Sequence, residues 1–215
     1  MPFSRCLFAC FAFIAAMLTA RLIYSGSAHF LFLIWNLFLA WVPYAISILF
    51  RSKLAGNKGG RLLLFGSWLL FFHNALYIIT DIIHLKETGL VPIWYDAVLL
   101  FTASFAGLAM GFASLINAEL FIGRLFPRLS KGYSPMIIIL FFFLGAFGVY
   151  LGRFERWNSW NIINDPSALL QNIVIKFTAP FEHVRTWGVT GLLTALYTIF
   201  FFSLRSFRGL EMQEG

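Results

Sequence analysis

An all-α polytopic membrane bundle of about six transmembrane helices is the fold class this sequence predicts, and three observations lead to it. The chain has 215 residues, of which 60% are hydrophobic, 19% aromatic and only 12% charged. That is more apolar surface than a water-soluble core of this size can bury. Six apolar runs follow one another at residues 6–24, 29–50, 62–83, 94–117, 134–152 and 187–204, and a helix needs about 20 such residues to cross a bilayer. None of the runs alternates polar with apolar positions as a barrel strand does, and unpaired backbone cannot face hydrocarbon, so each is read as a helix. With short connections between them, the runs leave no room for a separate soluble domain, and 1–215 reads as a single integral membrane domain.

Each run carries its own marks. Arg5, the apolar stretch after it and the small residues Gly26, Ser27 and Ala28 resemble a secretory signal, and the stretch from Leu7 to Cys10 resembles a lipoprotein box. The run is long for a signal core and the box lies too near the start, so the first run is read as a helix. Cys6 and Cys10 fall on adjacent turns of it and give no reason for a disulfide. Gly107 with Gly111 in the fourth run, and Gly148 with Gly152 in the fifth, have the small-xxx-small spacing that lets helices pack closely. Between the last two runs, Asp165 before Pro166 reads as a cap with proline at the first helical position. Leu169, Leu170, Ile173, Val174 and Phe177 then share one stripe before Pro180. This pattern predicts a short interfacial helix over 165–177.

The net charge of +7 is spread at the ends of apolar runs rather than massed in a patch, which speaks for membrane topology and against a nucleic-acid partner. With the N-terminus inside, the inner segments hold ten basic and three acidic residues, while the outer segments hold six of each and cancel. The positive-inside rule then places both termini in the cytoplasm.

Ionisable groups in or beside spans are costly in lipid and mark where function is to be sought. His73, Tyr77, Thr80, Asp81 and His84 cluster on one arc of the third span at 100° per residue. Asp81 and His84 are three apart, and Asp96 opens the fourth span at the same level. Arg153 and Arg156 end the fifth, followed by Trp157, Asn158 and Trp160. The expectation is that Asp81 and His84 meet Arg153 or Arg156 around one outer polar cavity, with Asp96 on its rim. An ordinary structural ion pair between Asp81 and an arginine explains the same residues, and the tryptophans suit a headgroup-level belt. Phosphate-cradling loops, His-Glu-x-x-His, Gly-x-Ser-x-Gly and Cys-x-x-Cys are absent from the sequence.

The stretches Trp35 to Trp41, Asn74 to Leu85, Pro92 to Asp96 and Leu151 to Trp160 resemble an uncharacterised bacterial membrane family, domain of unknown function 1361. The resemblance implies that Asp81, His84, Asp96, Arg153, Arg156 and Asn158 belong to a shared pattern and that the membrane is the bacterial inner one. It brings no activity with it. This chain departs from the pattern at His73, where proline is usual, and at Asn161, where aspartate is usual.

The leading functional expectation is a polar site at the outer interface for an anionic lipid headgroup or lipid-linked substrate, with Arg153, Arg156, Asn158 and Trp157 as binding residues. Its catalytic form uses Asp81, His84 and Asp96, either holding a divalent metal or with His84 as a base oriented by Asp81. The alternatives are a transporter, or a non-catalytic subunit docked to a membrane-protein partner or to its own copies.

Overall fold

The computed structural model describes residues 3–86, 90–127, 134–157 and 161–211. Helix α1 runs Phe3–Ser25 and stops at Gly26, whose φ of 64° is left-handed and whose N–H reaches back to the Leu22 carbonyl at 2.9 Å. Helix α2, Phe32–Ile48, tightens into a 3₁₀ turn at Leu49–Arg51. The Asn57 side chain accepts from the Gly60 N–H at 2.6 Å and so starts α3, Lys58–Tyr77. Helix α4 is Ile93–Leu125, α5 Ser134–Phe154, α6 Asn161–Asn164, α7 Pro166–Thr178 and α8 Val184–Glu211. Among the described residues six helical stretches are long and apolar enough to cross a membrane, and no strand occurs. The protein is an all-α, multi-pass membrane protein.

The third span departs from the expected uniform α-helix. From Ile78 to His84 it winds as a 3₁₀-helix. The run Ile78, Ile79, Thr80, Ile82, Ile83 is β-branched, which crowds an α-helical turn. Two carbonyls are also claimed by hydroxyls: Thr80 donates to Tyr77 at 2.6 Å and Ser104 to Ile78 at 3.3 Å. At three residues per turn Ile78, Asp81 and His84 eclipse one another, so Asp81 and His84 share a face more closely than a 100° spacing implies. The fourth span is also longer than expected, because α4 stays helical past Asn117 through Glu119 and Arg124.

By its contacts the chain forms two compact units, Met1–Ser114 and Leu115–Gly215, with the boundary inside α4. In the first unit α2 packs on α3, over a core that includes Leu33, Leu37, Ala75, Leu99 and Met110. A Cβ on Gly107 would collide with Ile78 Cγ2, and one on Gly111 would lie 3.1 Å from the Ala75 Cβ. The Gly107/Gly111 pair is thus where α4 meets the end of α3 at backbone range.

In the second unit α5 lies along α8. Helix α7 begins where Asp165 and Pro166 place it: the Asp165 carboxylate accepts from the Ala168 N–H at 3.2 Å. Its Leu169 and Ile173 pack against Phe147, Tyr150 and Leu151 of α5. Phe177 stands edge-on to Phe147 and Trp187. Of the apolar stripe read from the sequence, Leu169 and Ile173 are the part that packs onto α5, while Leu170, Val174 and much of Phe177 stay exposed.

Candidate functional site

Three of the expected site residues, Asp81, His84 and Asp96, belong to the first unit. Arg153, Arg156 and Trp157 belong to the second, and Asn158 lies outside the described residues.

In the first unit the costliest groups are satisfied by their neighbours. Asp96, in the first turn of α4, is 1% exposed, and Arg21 near the end of α1 is 3% exposed. The guanidinium grips the carboxylate as a fork, Nε to Oδ1 at 2.7 Å and Nη2 to Oδ2 at 3.1 Å. The Arg21 guanidinium also lies 4.6 Å from the centre of the Phe30 ring. Next to Asp96, the Tyr95 hydroxyl donates to the Met17 carbonyl at 2.8 Å, a second tie between α4 and α1. Asp81 is 1% exposed and accepts from the Asn36 amide of α2 at 2.7 Å. His84 is half-buried, its ring 5.0 Å from that of Phe32, while His73 is half-buried within α3.

Asp81 and His84 thus come together on one 3₁₀ face, whereas Asp96 is turned to Arg21. Among the described residues no group of three or more His, Cys, Asp or Glu is placed to hold a metal ion. The chemistry of this end is that of helix-to-helix ties through charge and amide.

The second unit carries Arg153 and Arg156 at the end of α5. Arg153 sits half-buried in the last turn, and the chain leaves the helix through Arg156 at φ 62°, a left-handed conformation uncommon for a residue with a Cβ. That turn folds the Trp157 N–H back onto the Leu151 carbonyl at 3.1 Å and seats its half-buried ring on the Phe147, Tyr150 and Leu151 cluster. It leaves the Arg156 side chain exposed. From the start of α8, Arg185 places its guanidinium 4.8 Å from the centre of the Phe154 ring. Glu155, an acid at this end, is bound by Lys176 of α7 at 2.9 Å, and that lysine also reaches the Asn172 side chain at 2.8 Å. At the other end of the unit Glu119 takes both Arg205, at 3.0 and 3.2 Å, and the Ser134 hydroxyl.

Sequence reasoning passed over the partners. Arg21, Lys176 and Glu119 entered it only as topology charges, and Glu155 and Asn36 as members of resembling stretches with no partner assigned. The signal for Arg21 was available. A lone arginine before the end of an apolar helix needs a carboxylate at its own depth, and Asp96 opens a span there.

These features define a polytopic helical membrane protein with charged residues gathered at helix ends. A family model described as Protein of unknown function (DUF1361) matches residues 35–200, about three quarters of the chain, and the chain belongs to that family. Comparison with curated proteins and with solved structures gives no match.

Proposed function

We propose that this is a protein of the bacterial inner membrane whose outer interface binds an anionic lipid headgroup or the phosphate of a lipid-linked substrate. Arg153, Arg156 and Arg185 are its anion ligands and Trp157 its aromatic wall. The observation that carries the reading is Arg185 over Phe154, the residue next to Arg153. Two separate elements bring the exposed guanidinium groups of Arg156 and Arg185 to one helix end, where Lys176 holds Glu155. Planar five-donor guanidinium groups suit phosphate oxygens, and their weak hydration suits a membrane interface.

The surroundings support a lipid rather than a soluble anion. Leu170, Val174, Ile175 and Phe177 of α7 are exposed, and Phe181 in the following turn is 91% exposed. A short helix with one face on the protein and other apolar side chains outward belongs in the headgroup region. The outer placement rests on the excess of basic residues in the opposite segments. A binding role is preferred to a catalytic one because Asp96 is held in a fork by Arg21 and Asp81 accepts from Asn36. That leaves His84 as the one candidate base of the three.

The test is lipid retention. Purified protein exchanged through mild detergent should keep phosphatidylglycerol or cardiolipin over phosphatidylcholine, as read by native mass spectrometry. Arg153→Gln with Arg156→Gln and Arg185→Gln should reduce that retention by ten-fold or more. Equal retention of charged and zwitterionic lipid, or no loss in the triple variant, contradicts the proposal. Reaction of Lys58→Cys with an impermeant thiol reagent outside intact cells contradicts its sidedness.

A further inference from the structure

We infer that water enters the membrane interior of the second unit along α8, in a polar seam that runs from Trp187 to Thr198. A threonine in a membrane helix ordinarily satisfies its hydroxyl on a carbonyl of the preceding turn. Thr19 does so with Ala15 at 2.8 Å, Thr102 with Val98 at 2.8 Å, and Thr194 with Thr190 at 2.7 Å. Thr190 and Thr198 break the rule. Their hydroxyl oxygens are buried with no hydrogen-bond partner among the described residues, and the indole N–H of Trp187 is in the same condition. Thr190 is 0% exposed.

At 100° per residue, positions 187, 190, 194 and 198 fall within roughly 80° of one another and span about 16 Å along the axis. They make one continuous stripe rather than scattered defects. Across from α8, the buried side chains of α5, among them Phe142, Ala146, Phe147 and Val149, are apolar except for the Tyr150 hydroxyl near the α7 end. Lipid chains offer no donor or acceptor either. Water fits the groups left over, since it accepts from an indole N–H and both donates to and accepts from a threonine hydroxyl.

The seam continues at the α7 end. Glu155 has a second buried oxygen, Oε2, with no partner. Lys176 binds the other oxygen of Glu155, and its neighbour Phe177 lies against Trp187 with ring centres 4.9 Å apart. A carboxylate oxygen, an indole N–H and two hydroxyls thus lead from the helix end inward. The ligand class is water or another small neutral hydroxyl compound, because nothing on the stripe is charged below Glu155. This inference is independent of the anion site and can fail without it.

Thiolate reactivity tests it, because a charged methanethiosulfonate reacts with a cysteine only where water ionises the thiol. Cys6 and Cys10 are the chain's cysteines, so Cys6→Ser with Cys10→Ser gives a clean background. Thr190→Cys and Thr198→Cys should react at least ten-fold faster than Leu192→Cys and Ile199→Cys, whose native side chains are 75% and 61% exposed on the outward face of a spanning helix. Equal rates at the two faces overturn the inference. Should the cysteine variants fail to insert, the melting temperature of Thr190→Val decides. A dry orphan hydroxyl is better replaced by its apolar isostere, so an unchanged or raised value overturns the seam, and a lowered value supports it.

Discussion

The two units treat buried polarity in opposite ways. In the first, a buried arginine meets a buried aspartate, a second aspartate meets an amide, and the indole of fully buried Trp68 donates to Ser114 at 3.2 Å. Among the described residues every buried side-chain nitrogen or oxygen without a partner lies in the second unit, at Glu155, Trp187, Thr190 and Thr198. A bilayer supplies no hydrogen bonds, so the first unit has closed its polar groups upon themselves as a scaffold would. The second has left groups that something other than its own helices must satisfy. Its exposed Arg156 and Arg185 stand at the same end as Glu155 and Trp187, which is why we place function there.

The largest effect should come from opening the closed unit. Arg21→Ala leaves Asp96 charged and buried, and removing one partner of such a pair costs about 3–5 kcal/mol. Denaturant unfolding in detergent measures it. Arg21→Met combined with Asp96→Leu should recover most of the loss, because the cost lies in the uncompensated charge rather than in the missing bond. Lys176→Ala should cost less, since Glu155 keeps 21% of its side chain exposed to rehydrate. A Lys176→Ala loss equal to that of Arg21→Ala would erase the contrast.

A smaller effect separates the units by glycine. Gly107→Ala must displace Ile78, and overpacking of that kind costs about 1–3 kcal/mol. A Cβ on Gly191 of α8 meets nothing within 4 Å, so Gly191→Ala should be neutral or should stabilise by up to ~1 kcal/mol through helix propensity. The same unfolding measurement reads both, and equal losses would show that the close approach at Gly107 is not a point of tension.

Most of the fold was legible because length and apolarity decide it: a run of about 20 apolar residues has few alternatives to a helix in lipid. Asp165 and Pro166 were legible for a local reason, since a cap and a fixed φ act within one turn. The 3₁₀ winding at Ile78–His84 was harder to see. Its cause is partly the Ser104 hydroxyl, 26 residues away along the chain. The site was legible in its residue types and not in its pairings. Asp81, Asp96 and Arg153 stand out as charges in lipid, but periodicity cannot say that Asn36 faces Asp81 or that Arg21 faces Asp96. Nor can it tell Thr194, which satisfies itself, from Thr190, which does not, because the two are the same residue type on the same face of one helix.

Two tryptophans test the contrast between the units most directly. Trp68 and Trp187 carry the same indole N–H, the first bonded to Ser114 and the second buried without a partner. Hydrogen exchange of the indole protons, followed by NMR on the full chain in lipid nanodiscs, should find Trp187 exchanging at least a hundred-fold faster than Trp68. Exchange of the two at comparable rates would mean that the second unit is as dry and as closed as the first, and would contradict the account.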